Sequence, residues 1–327
     1  MKKQTQDNLI AIIRKSIPEE ANLTIYLSDL LNISRESAYR RIRGEINFTF
    51  EEVAALSQDL GFSLDNVVGI KRDENALFNI HMLQNADYLD IYANKMLEYG
   101  RLFRENSEKM ETKARISINT MPYFFHIHHE NLSRFRIYKW LYQNQKITSK
   151  EKFSSFVLPD KVLNAHQVFF KDVQTVKNVT IIMDNNVFWS VAREIDYFYK
   201  RGLLSDEDLA TLQTELHSIA NWLEQVATDG LCPNGSKIDL YLSSVDQEAT
   251  YLHFEYGNKQ FSQVRIFSIS AIDSFNERLC KIQKEWIESL KRYSTLISES
   301  GEMQRFEYLR QQREYIDNIT QLKRAPL

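Results

Sequence analysis

The pattern of apolar positions changes character once along the chain. Up to about residue 70, short helical segments alternate with tight turns. Leu27, Leu30 and Leu31 line one helix that ends at Asn32, a residue type that tolerates a left-handed turn. Ile33 follows as an apolar plug, and Ser34 is a good N-cap for a helix over Arg35–Arg43. Ala38 and Ile42 fall on the inner face of that helix, and Gly44 stops it. Thr49 and Glu52 have the spacing of a capping box for a helix with Val53, Leu56 and Leu60 inward. Gly61 ends that helix, and Leu64 and Val67 start a last short turn.

The texture changes at Gly69–Glu74, so a domain boundary is expected near residue 72: 1–72, then 73–327. From Glu74 to about Lys113, Phe78, Met82, Asn85, Leu89, Tyr92, Met96, Tyr99 and Phe103 recur at alternating spacings of four and three. That is a heptad seam with one polar position, which suits either a dimerisation helix or a helix packed into its own domain. Tyrosines in the seam and Gly100 favour the second. Further on, Arg115–Ile118, Tyr123–His128 and Val179–Met183 are expected to be extended, and Asn131–Gln143, Asp160–Val176 and Asn186–Lys200 helical. Ser205 and Asp208 mark a helix start. Lys237–Val245 alternates with Ile238, Leu240 and Leu242 on one face, and Gly257–Gln260 separates two strands of a hairpin. Two helices close the chain, about Ala271–Glu299 and Glu302–Lys323, the first with a stripe of Phe275, Leu279, Ile282, Trp286 and Tyr293. The whole reads as α+β and mostly α: a helical first domain, then a larger α+β domain with a small, mostly antiparallel sheet and long helices.

Composition narrows the function classes. Of 327 residues, 43% are apolar and 26% charged, which excludes a wholly disordered chain. With 41 Lys+Arg against 44 Asp+Glu, the chain cannot coat nucleic acid with its whole surface, although a local basic patch is compatible. Cys232 and Cys280 cannot build a disulfide framework, which fits a reducing compartment. The apolar core of the first segment, Leu9–Ile13, is short for a secretory signal, and no apolar run reaches eighteen residues. A cytoplasmic protein without a membrane span is expected.

The chemistry concentrates in Arg35–Arg43, which holds four arginines against one glutamate, whereas residues 1–72 balance at 10 Lys+Arg and 10 Asp+Glu. Its outer face offers Arg35, Glu36, Ser37, Tyr39, Arg40 and Arg43. A helix, a tight turn and a second helix with an arginine-rich outer face are the parts of a helix-turn-helix reader. Arginine offers a planar fork for guanine O6 and N7, or a charge for phosphate.

Residues Leu27–Gly44, with the TFEEVAALSQDLGFSLDNVVG that follows, resemble the phage-repressor-type helix-turn-helix family, also called Xre-like or Cro/C1-type. The resemblance covers roughly residues 5–70. It implies a five-helix domain that binds double-stranded operator DNA, usually as a homodimer. By position it places Arg35, Glu36 and Arg40 at base edges and Ser34 and Ser37 near phosphates, with Tyr39, Arg41 and Arg43 on the same DNA-binding helix. Asn32 stands where the family has glycine, Ser28 where it has alanine, and Arg41 where it commonly has an apolar residue, so Ile42 is expected to take the inward role. The chain is thus expected to be a transcription regulator whose second domain dimerises and takes a small-molecule effector; the rival is a protein-interaction adaptor. Other motifs are weaker. His126 and His128 would share a face on a strand, but nothing fixes a third ligand, so no metal is expected. Cys232–Gly235 reads as a turn. No P-loop, G-x-G-x-x-G, G-x-S-x-G or H-E-x-x-H is present, and neither a cofactor nor an enzymatic activity is expected. Dense aromatics at Tyr123–Phe125, Trp189–Tyr199 and Tyr251–Tyr256 suit a core or a pocket equally well.

Overall fold

The computed structural model describes residues 2–17, 22–62, 64, 67, 76, 78–81, 88–266 and 268–322. The chain divides into two compact units, Met1–Ala76 and Leu77–Leu327.

In the first unit, four helices are described: α1 (Lys2–Ser16), α2 (Leu23–Leu31), α3 (Arg35–Ile42) and α4 (Phe50–Leu60). Of the expected fifth helix only Leu64 and Val67 are among the described residues, and both pack on this unit's core. Each helix end is set by the chemistry of its flanking residue. Asn32 adopts the left-handed region (φ 51°, ψ 48°) and ends α2, Ser34 accepts from the Ser37 amide, and Thr49 and Glu52 cap reciprocally. Leu9, Ile13, Leu27, Ala38 and Leu56 meet in one apolar core. Burying that face, rather than helix propensity, holds such short helices.

The second unit is built on one eight-stranded sheet, in the order β1-β7-β6-β5-β2-β3-β4-β8. Its strands are β1 (Asn79–His81), β2 (Thr112–Ile118), β3 (Asn178–Met183), β4 (Lys237–Ser243), β5 (Tyr251–Tyr256), β6 (Lys259–Ile266), β7 (Ser270–Ser274) and β8 (Ser294–Leu296). β2, β3 and β4 run parallel; the other pairings are antiparallel. The sheet is therefore mixed and larger than the small one expected, although most of its pairings are antiparallel, as expected. Ile181, Ile182 and Met183 are all fully buried, as befits a central strand covered on both faces. One face carries α5 (Tyr88–Lys109), α6 (Tyr123–His126), α7 (Glu130–Gln143), α8 (Asp160–Val173), α9 (Val187–Lys200) and α10 (Asp206–Asp229), with α12 (Glu302–Asp317) packed on α9 and α10. The other face is covered by α11 (Glu277–Leu290), whose Ile287 and Leu290 meet Ile182. Arg115 on β2 ties that helix down through Glu288 (2.6 Å) and reaches Glu255 on β5 (2.5 Å).

Three expectations change. The long helix from Glu74 does not form as one element: Asn79–His81 pairs with β7, and the helix begins at Tyr88. Met82 and Asn85 lie outside the described residues, and Tyr92, Met96 and Phe103 are buried in their own unit, so they are not available as a dimer seam. Tyr123–His126 is a helical turn after Pro122, not a strand. Ala271–Glu299 splits into β7, α11 and β8, and the stripe of Phe275, Ile282, Trp286 and Tyr293 is about half exposed, because Cys280, Gln283 and Ile287 take the inward face instead.

Gly100 on α5 faces Asp172 of α8. A Cβ there would sit 2.7 Å from Asp172 Oδ2, while Asp172 is held by Arg104 Nη1 at 2.9 Å. Gly100→Ala gains about 1 kcal/mol of helix propensity but must displace a short, paired side chain at a cost of roughly 1–3 kcal/mol. The expected result is a net loss of about 1 kcal/mol in chemical denaturation, removed when Asp172→Ala is added.

Candidate nucleic-acid interface and an apolar cavity

The α2–turn–α3 segment presents the candidate interface of the first unit. Ser34, Arg35, Glu36, Tyr39, Arg40 and Arg43 are all exposed on or beside α3, and Ser37 is partly buried. Arg43 leans over the Tyr39 ring at 5.7 Å. Glu45 lies beside Arg40 (3.4 Å) and Arg43 (3.3 Å), pairs exposed enough to exchange partners easily.

Arg41 is different, and its expected DNA-facing place needs correction. Only 9% exposed, it grips Glu52 with two hydrogen bonds (Nε to Oε2, 3.0 Å; Nη2 to Oε1, 2.7 Å) and donates to Ser37 Oγ at 2.6 Å. It is thus turned inward together with Ile42, which is partly buried and packs on the core as expected. The fork fits a carboxylate bidentately, so an arginine can stand in a core position if a partner carboxylate is built in. Burial works to raise the Glu52 carboxyl, but the Arg41 hydrogen bonds, the Thr49 amide and the Arg41 charge outweigh it and hold it below its ordinary range. Arg41→Met would strand Glu52 beside the core and is expected to destabilise the first unit by about 2 kcal/mol, the lower side of the range for broken buried pairs because both side chains keep some solvent contact. Arg41→Met with Glu52→Gln should recover most of the loss, since glutamine keeps the capping box. Amide hydrogen exchange of α2–α4 in the full chain reads both.

In the second unit, a cavity of about 420 Å³ lies between the sheet and its helices. Ala114, Ile116, Val179, Ile181, Ile238 and Leu252, neighbours on one face of β2–β5, form its floor. Met96, Phe103, Phe169, Phe170 and Trp222 close it from the helices. Its size falls within the ~300–1,000 Å³ of small-molecule pockets. Arg136 from α7 and Arg265 from β6 line it as well. Arg136 donates only to neutral acceptors: the carbonyls of Met121 (3.2 Å) and Ser268 (2.9 Å), and His126 Nε2 (3.0 Å). Arg265 Nη1 and Arg136 Nε are shut from solvent without a hydrogen-bond partner. Among the described residues no carboxylate is within ion-pair distance of either guanidinium; the nearby Glu194 pairs with Lys139 at 2.7 Å.

The histidines beside the cavity are neutral. Burial, and after it the Arg136 charge, push His126 well below its ordinary range. Burial alone brings His166 down to about 4; its Nε2 meets the hydroxyls of Tyr123 (2.6 Å) and Tyr92 (3.2 Å). His126 and His128 do not share a strand face: His126 sits in α6 against Arg136, while His128 stacks on Phe170 at 4.5 Å. Among the described residues no three metal-ligating side chains converge. Cys232–Gly235 forms the expected turn, closed by the Gly235 amide donating to Cys232 O at 2.8 Å. Sequence reasoning pointed at the aromatics of Tyr123–Phe125 but missed Arg136 and Arg265. Each is a single arginine in an otherwise ordinary segment, and only the fold brings them together.

No helix among the described residues is long and apolar enough to cross a membrane. Comparison with protein-family models, with curated proteins and with solved structures returns no match.

Proposed function

We propose that the chain is a sequence-specific DNA-binding transcription regulator of the cytoplasm, acting as a homodimer, with residues 5–70 an Xre-like helix-turn-helix domain. The observation that supports this best is α3, an arginine-bearing helix held at its start by the Asn32 turn and the Ser34 cap, with Arg35, Arg40 and Arg43 turned to solvent. In this reading α3 enters the major groove with Arg35 and Arg40 against base edges, and Ser34 and the amides of the first turn meet a phosphate. Arg43 and Tyr39 lie along the backbone, and Glu45 exchanges its arginines for phosphates on binding. Arg41 supports the helix from behind and touches no DNA. One α3 reads few bases, so two copies on half-sites about one helical turn apart supply the affinity. The second unit is the regulatory half, and no reaction is assigned to either.

The adaptor reading has its own support: Glu45 already occupies Arg40 and Arg43, and Phe50 beside it is 72% exposed, as a protein-docking aromatic would be. The discriminating experiment is selection of bound fragments from random and genomic DNA by the full chain, followed by a salt titration of the best fragment. A recovered inverted repeat with a steep loss of affinity in salt supports the regulator, because phosphate contacts release counterions. No enrichment by the folded protein would favour the adaptor.

A further inference from the structure

We infer that the cavity of the second unit binds an amphipathic organic anion, a carboxylate head on an apolar body. The inference deepens the regulatory half of the reading above and rests on that unit taking a small molecule; it does not depend on DNA binding by the first unit.

The argument is one of unmatched charge. Arg136 and Arg265 face the same cavity, are near enough to repel each other, and have no carboxylate partner among the described residues. Burial works against the charge on both, yet a guanidinium does not give up its proton in a protein. Among the described residues, the cavity therefore carries two positive charges that no carboxylate pairs with. The neighbouring histidines add none, being neutral. Proteins rarely leave such groups unpaired, because an uncompensated buried charge costs several kcal/mol. A carboxylate in the cavity would lie beside both guanidinium groups and meet their charge with charge-assisted hydrogen bonds, in a medium where such bonds are strong. The rest of the lining sets the body of the ligand. Ile116, Ile181, Phe103, Phe169 and Trp222 make most of that lining apolar, which suits an alkyl chain or a ring.

Trp222 lines the cavity and provides the readout. The full chain, without DNA, is titrated with dodecanoate below its self-association range and followed by tryptophan emission, with dodecanol and dodecylamine as neutral and cationic probes of the same body. The expected result is saturable binding of dodecanoate, at least about tenfold tighter than dodecanol, with no binding of the amine. The emission change should vanish in Trp222→Phe, and Arg265→Met should bring dodecanoate down to the affinity of dodecanol. Arg265 is chosen because its side chain supports no other group by a hydrogen bond, and its fold is checked by circular dichroism. Equal binding of acid and alcohol by the unaltered chain would overturn the inference without any variant, as would saturable binding that ignores Trp222. Failure of all three probes to bind would also overturn it, whereas a failed DNA selection would leave it standing.

Discussion

Arg35→Ala combined with Arg40→Ala should cost at least about 100-fold in affinity for a selected DNA site, and the recovered motif should disappear. A bidentate arginine–guanine contact contributes roughly 1–3 kcal/mol of discrimination, and 1.4 kcal/mol is a decade in the binding constant. Two such contacts per half-site therefore carry the recognition of a short helix. Both side chains are exposed, and of the two only Arg40 has an ion-pair partner among the described residues, the exposed Glu45, so the double variant should fold as the parent does. Arg41→Met gives the contrasting result: weakened folding with an unchanged motif, because Arg41 is spent on Glu52. A binding titration at two salt concentrations separates these outcomes. Unchanged affinity and unchanged sequence preference in the double variant would remove the reading helix from the proposal.

The second unit should lose stability steeply between pH 6.5 and 4, and His166 should account for a large part. Its folded-state pKa is depressed to about 4 by burial, against about 6.5 unfolded. The unfolded chain therefore binds the proton more tightly across that window. Stability from this group is complete above about pH 6.5 and falls as pH drops toward 4. Holding the folded imidazole near 4 against about 6.5 unfolded corresponds to roughly 3 kcal/mol at full effect. His126, His128, His129 and His253 shift in the same direction. Asp184 opposes them: burial raises it to about 6, so its contribution is present at low pH and lost as pH rises through 6. Five histidines against one aspartate leave a net loss on acidification. His166→Gln, which can still meet Tyr92 and Tyr123, should flatten the profile of urea denaturation between pH 6.5 and 4. A profile as steep as the parent's would assign the acid sensitivity to the other histidines.

Local chemistry was legible wherever it acts within a few residues. The Asn32 turn follows from a residue that tolerates the left-handed region, and the Ser34 cap and the capping boxes at Thr49 and Ser205 follow from side chains reaching amides three positions away. The β5–β6 hairpin is visible for the same reason, since Gly257 takes φ 56° at its turn. Pairing over long separations leaves no such mark. β2, β3 and β4 lie side by side in parallel with some 60 residues between them, so their apolar runs could not disclose either partner or direction. The 3.5-residue spacing at Phe78–Phe103 misled at Asn79–His81 because it describes a helical face whether or not a strand competes for the segment; β7 offered Ile80 a ladder. In α11 the apolar stripe and the buried face differ by about a quarter turn, and Arg115 and Ile182 beneath decided which side faces in. The extent and exposed face of α3 could be read almost whole. Arg41 could not, because its role depends on Glu52, eleven positions away in another helix.

The edge pairing of Asn79 with Asp273 also has a consequence in time. These two residues are 194 positions apart. At ~5–20 residues per second, a ribosome needs about 10–40 s to make the stretch between them. The first unit, made of short-range helical contacts, can fold within milliseconds of emerging. Each newly made chain therefore passes through an interval in which α3 is complete and the sheet of the second unit does not yet exist.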